Sequence, residues 1–293
     1  MGAISNLFGY LLNWLYEICG NYGIAIIVFS VILRVLLIPI TFKQQKSMKK
    51  SAEMQEKLKV IQNKYKNDPE KLNKETMELY KKEKTSPFAG CLSAILQLVI
   101  ILSVFWLVSK PLTYMKKIDK ETIDTYVKEI TEQGGGNTAY SEIAVINKKS
   151  AEDQNVYINM DFFGLDLSKV PSQNTKDFTV YIIPAIYVLT SFASMKMTNN
   201  LQNKNKKKTK QEVKEGDEKE KTTEKDEALE SMEDMSKSMS YMMPIMSISI
   251  AFIAPLGLAL YWLVSNVLMI IERIIVEKIT DKEDVKELEA GKQ

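Results

Sequence analysis

The chain has 293 residues, 45% of them hydrophobic and 26% charged, with a formal net charge of +2. Those averages suit a globular protein, but the charge is segregated: no Asp or Glu falls within 24–42, 88–109, 178–195 or 239–271. Long apolar blocks separated by charged ones mark a polytopic membrane protein and exclude a soluble enzyme.

The absence of histidine removes His-dependent acid–base catalysis, His metal ligands and a His triad. The two cysteines, Cys19 and Cys91, are too far apart in sequence to suggest a zinc site or a disulfide framework. No Gly-rich phosphate loop is present, so neither a nucleotide motor nor any other cofactor is implied.

In chain order, residues 1–22 carry no basic n-region and read as an interfacial amphipathic helix rather than a signal peptide. Leu7, Phe8, Leu11, Leu12 and Leu15 take helical spacing there, with Tyr10, Trp14 and Tyr16 suited to headgroup level. The alternative is a further span. Residues 23–42 form transmembrane segment 1, 88–109 segment 2 and 178–195 segment 3. The last block, 239–271, is too long for one crossing at about 20 residues each. Pro255-Leu256-Gly257 divides it into segments 4 (239–254) and 5 (257–272), both short for a bilayer.

Basic residues orient the spans. Segment 43–86 carries 13 Lys against 7 acidic residues, whereas 110–177 carries 9 Lys against 11. The first is therefore cytoplasmic and the second extracytoplasmic, which puts the N-terminus outside and the C-terminus inside. Residues 43–86 read as a helical hairpin, with Asp68 as N-cap and Pro69 opening its second helix. It serves either as a docking element or as a solvated connector. Residues 110–177 read mostly as loop, with a return to the membrane surface near Phe162-Phe163-Gly164. Residues 198–238 have the composition of a disordered charged loop. The tail 278–293 has mixed charge.

Arg34 is one of only two arginines, the other being Arg273. An arginine at mid-helix costs about 2.5–3.5 kcal/mol on insertion scales, and the other spans offer it no carboxylate. It either snorkels to the headgroups or faces a wet cavity. Gln97, Thr190, Ser191 and Ser194 are positioned to line such a cavity, although each is also suited to a helix–helix hydrogen bond. One fixed positive charge without a negative one attracts anions or acidic peptide segments. An anion or small-solute transporter using Arg34 as its binding charge is the rival, yet no paired broken helices appear. A lipid-modifying enzyme lacks clustered polar catalytic groups, and a pure scaffold leaves Arg34 unexplained.

Several motifs resemble those of YidC-type membrane protein insertases. These are Leu33-Arg34 with Pro39-Ile40-Thr41 and Gln44-Gln45, Pro87-Phe88-Ala89-Gly90-Cys91-Leu92, Met242-Met243-Pro244-Ile245-Met246, and Pro255 to Trp262 followed by Ser265-Asn266. The resemblance implies an all-α integral membrane protein with five transmembrane helices around a hydrophilic groove. A cytoplasmic helical hairpin completes it, in the short Gram-positive form without a large extracytoplasmic domain. It implies insertion of nascent membrane proteins, alone or beside the Sec translocon and ribosome, with membrane lipid at the open side of the groove. Arg34 matches the groove arginine that meets acidic substrate tails, and Tyr261 and Trp262 join the candidate groove residues. Ser93 stands where the family commonly has proline, Ser194 where it often has glutamine, Leu256 where alanine is usual and Glu272 where glutamine is frequent. From position 272 the chain has five basic against seven acidic residues, which argues against ribosome docking through the tail.

Overall fold

The computed structural model describes residues 2–65, 68–83, 89–134, 140–216, 246 and 248–290. Helices dominate: α1 (Gly2–Cys19), α2 (Tyr22–Lys64), α3 (Pro69–Lys82), α4 (Ala89–Ser109), α5 (Lys120–Glu132), α6 (Ser141–Lys149), α7 (Ile182–Gly216), α8 (248–253) and α9 (Leu256–Ala290). The chain divides into two compact units. The first comprises Met1–Leu36, Val99–Ser194 and Ser240–Gln293, and the second Leu37–Leu98 with Met195–Met239.

Among the described residues, three helical stretches are long and apolar enough to cross a membrane: Tyr22–Lys43, Phe178–Met197 and Leu256–Ile275. At 22, 20 and 20 residues, they extend about 30 Å or more at 1.5 Å per residue, the thickness of a hydrocarbon core. Only 33% of each apolar window is buried within the protein, and Val35, Leu36, Leu189, Phe192 and Ile271 are exposed. Water would not tolerate that surface, whereas lipid solvates it.

The last stretch corrects the short fifth segment. Counting from Pro255 and stopping at Glu272 halves the apolar block, but α9 continues through Glu272 with no break. Half of the expected fourth segment lies outside the described residues, as do its Met242–Ile245 motif and the Pro87-Phe88 opening of the second.

The first unit also contains residues 110–177, which are far more ordered than the expected loop. After α4 comes one π-helical turn, Leu112–Lys116, and then α5 and α6 pack through Ile123, Ile130, Ile143 and Ile146. Their mixed charge hides a two-helix pattern. Asp119 caps α5 by accepting from the Thr122 N–H at 2.8 Å. Lys149 donates to Glu129 at 2.7 Å and Glu152 at 2.8 Å, closing the pair. The Glu142 carboxylate accepts from the Thr113 N–H at 2.9 Å and its hydroxyl at 2.6 Å, tying α6 to the π turn.

The segment near Phe162 is a two-stranded antiparallel hairpin, β1 (Asp161–Phe162) and β2 (Leu165–Asp166). Its turn residues Phe163 and Gly164 both have positive φ, 51° and 80°, as a two-residue hairpin turn of this hand requires. Phe163 stands 87% exposed at its tip.

This hairpin sits among the helix ends. Tyr22 N–H donates to Asn159 O at 3.0 Å, while Leu256 N–H donates to Lys169 O at 2.9 Å and Gly257 N–H to Leu167 O at 2.8 Å. The first N–H of α2 and the first two of α9, which have no partner within their own helices, are thereby satisfied. Tyr16, expected at headgroup level, is instead 8% exposed and accepts from the Asn159 N–H at 2.8 Å.

Ionisation here has opposing signs. Lys169, then Thr179, hold Asp177 down to about 2, whereas burial pushes Glu142 up against the pull of its Thr113 hydrogen bonds. Asp177 therefore contributes stability above its unfolded value of about 3.9 that disappears as pH falls towards 2. Protonating Glu142 works the other way, because the folded state takes up that proton first. Asp177→Asn is expected to flatten the loss of thermal stability between pH 4 and 2 in detergent. An unchanged acid limb would deny Asp177 that role.

In the second unit, α2 continues as helix through Lys64, so the first span and the first arm of the hairpin are one element. Asp68 accepts from Lys71 N–H at 3.1 Å and Pro69 opens α3, as the sequence predicts. Lys57 pairs with Glu83 and Tyr65 with Glu75. Both pairs centre on residue 70, so the order of partners runs in opposite directions along α2 and α3 and the hairpin is antiparallel. Helix α7 runs to Gly216, so its Lys-rich stretch does not break at 198, contrary to the disorder expected from there. Lysine is a good helix former. Residues 217–238 lie outside the described residues.

Candidate functional site

Arg34 lies on α2 four residues beyond Ser30, whose hydroxyl donates to Ile26 O at 2.7 Å and so spends its polarity within the helix. The Arg34 guanidinium reaches α9. Its Nη1 lies 3.2 Å from Glu272 Oε2, and its Nη2 donates to Ser265 O at 3.2 Å. The two side chains are 20% and 10% exposed.

This corrects the expectation that no carboxylate is available. Glu272 is one residue past the uncharged block and closes the fifth segment as read from sequence, where it marks only the end of the apolar run. Continuous α9 carries it back to Arg34, because side chains on a helix lean towards its N-terminus. The pair removes much of the cost of an isolated arginine in a span. It is monodentate, and Glu272 Oε1 is buried with no hydrogen-bond partner among the described residues.

Helical geometry explains what stands beside it. Tyr261, Ser265 and Glu272 fall within about 40° of one another around α9 at 100° per residue, forming the stripe that faces Arg34. Tyr261 is 6% exposed and hydrogen-bonds with the Ser265 side chain. One residue further round, Trp262 and Asn266 form a second stripe towards α7. The Asn266 amide donates to Thr190 Oγ1 at 3.3 Å and Ser191 Oγ at 3.1 Å. Trp262 lies against Tyr187, with ring centroids 6.2 Å apart.

Thr190 is thus engaged, donating its own proton to Ile186 O or Tyr187 O at 3.0 Å. Ser194 is buried on the same helix. Gln97 belongs to α4, and its side chain lies outside the described residues. Glu272 and Asn266 are the residues that sequence reading left off the site. Asn266 was visible only as part of a motif, and Glu272 only as a departure from one.

The family model for the 60Kd inner membrane protein matches residues 14–283. The chain belongs to that family, the family of the YidC insertases. Among relatives of the 60Kd inner membrane protein family, a membrane protein insertase YidC of Caldanaerobacter subterraneus subsp. tengcongensis is 45% identical over 105 residues, covering 36% of this chain and 51% of that one. The membrane protein insertase YidC of Wolinella succinogenes is 45% identical over 95 residues, 32% of this chain and 18% of that protein. Those matches span about half of one relative and under a fifth of the other. That of Fusobacterium nucleatum subsp. nucleatum is 24% identical over 275 residues, 94% of this chain and 95% of the relative.

Proposed function

We propose that the chain is a membrane protein insertase that moves hydrophilic tails of nascent membrane proteins across the bilayer along the polar stripe of Arg34, Ser265 and Glu272. The observation that carries this is a buried polar cluster on two apolar helices, α2 and α9, in a member of this family. The substrates are membrane proteins with short translocated tails, taken up with or without the Sec translocon and the ribosome.

Five spans, with the N-terminus outside and the C-terminus cytoplasmic, remain the topology supported by lysine asymmetry. Near one end of α1, Lys117 donates to Asn6 Oδ1 at 2.8 Å, and near the other Tyr16 meets Asn159. A helix touching 110–177 at both ends favours lying along the outer surface over crossing the bilayer.

The step is facilitated partitioning. A polar stripe shortens the apolar path of a tail, and the membrane potential contributes about 2.3 kcal/mol per charge per 100 mV towards outward movement of acidic residues. The substrate's apolar segment leaves into lipid.

Proteoliposomes translating a small single-span substrate test the reading through protease protection of its tail. Wild type and Arg34→Lys are expected to protect the tail well above empty liposomes. Failure of folded wild type with several substrates would overturn the assignment.

A further inference from the structure

We propose that Glu272 is a specificity-determining residue that sets the charge preference of the insertion path by holding Arg34 in an internal ion pair. This rests on the insertase reading. Both arginines of the chain belong to the cluster: Arg34 pairs with Glu272, and Arg273 follows on α9 within electrostatic reach of both. Every other basic residue is lysine. Arginine suits a buried pair because its guanidinium is always charged and weakly hydrated.

A substrate carboxylate approaching Arg34 meets a competitor already in place. Glu272 is tethered 3.2 Å away, so its effective concentration far exceeds that of an incoming tail. Displacing it strands a carboxylate whose other oxygen is already buried without a partner among the described residues. The three groups carry a combined charge of +1 rather than the +2 that a neutral residue at 272 would leave. An uncapped arginine favours acidic tails strongly and repels basic ones. The capped one is nearly indifferent, so uncharged hydrophilic tails pass as readily as acidic ones. Glutamine at 272 is close in shape and can still hydrogen-bond Arg34, so it changes the charge with little change in packing.

The experiment uses the full chain in proteoliposomes and three substrates with one apolar segment, whose tails carry two Asp, two Asn or two Lys. Initial rates of tail protection are compared for wild type, Glu272→Gln and Glu272→Asp. Wild type and Glu272→Asp are expected to insert Asp and Asn tails at rates within about threefold. Glu272→Gln is expected to raise the Asp-to-Asn ratio about tenfold and to depress the Lys tail. A ratio in Glu272→Gln equal to wild type, with wild type active, overturns the role of Glu272 alone. A strong acidic preference already present in wild type and Glu272→Asp overturns it as well, without need of the Gln variant. Wild type that inserts none of the three overturns the insertase reading beneath it.

Discussion

Arg34→Ala will destabilise the protein by about 3–5 kcal/mol, the usual consequence of leaving a buried charge without its partner, and Arg34→Ala/Glu272→Gln will recover much of that loss. The physical reason is the asymmetry of a buried pair. Glu272 is 10% exposed and already has one unpartnered oxygen. Without Arg34 it must either take up a proton or drag water into the span. Removing both charges leaves a neutral amide, which costs far less to bury. Denaturation followed by tryptophan fluorescence in mixed micelles gives the double-mutant cycle. A double variant whose loss equals the sum of the two single losses would show that the pair carries no coupling. The result governs how activity is read, because a loss of tail insertion in Arg34→Ala conflates a lost contact with a lost fold. Comparing Arg34→Ala with the double variant separates them.

Arg34 was legible in the sequence because charge in an apolar block is expensive and therefore conspicuous. Its partner was not. Glu272 sits where hydropathy alone ends a span, and only a helix continuing to Ala290 shows that the apolar surface resumes at Ile274 and Ile275. The hairpin of α2 and α3 was legible because Asp68 and Pro69 are local signals of a helix start. Helices α5 and α6 were not, because Ile123, Ile130, Ile143 and Ile146 are sparse among charges and become a core only where α5 packs on α6. Tyr16 was misread for a related reason. An aromatic at helical spacing predicts a surface as well as it predicts a core, and the deciding contact, Asn159, is 143 residues away.

Gly9→Ala will separate α1 from the turn after α4, at a cost of about 3 kcal/mol or more, the upper part of the range for overpacking. A Cβ at Gly9 would lie 1.8 Å from the Tyr114 carbonyl oxygen and 2.6 Å from its carbon. Both are backbone atoms, so no rotamer relieves the clash and the helix itself must move. Movement loosens what α1 buries, Leu12 at 0% and Leu15 at 4% exposure, and the Ser5 hydroxyl bond to Ser103 O at 3.0 Å. It also strains the Tyr16–Asn159 bond, which anchors the hairpin segment that satisfies the opening N–H groups of α9. A change at one glycine thus reaches the helix that carries Glu272. Gly2→Ala is the control, since nothing lies within 4 Å of a Cβ there. It should leave stability within about 0.5 kcal/mol, as surface substitutions do. Limited proteolysis near Gly20 and thermal unfolding in detergent provide the readout. Equal stability of the two variants would mean that α1 does not dock on residues 112–116. The N-terminal ends of α2 and α9 would then have to be held by the hairpin segment alone.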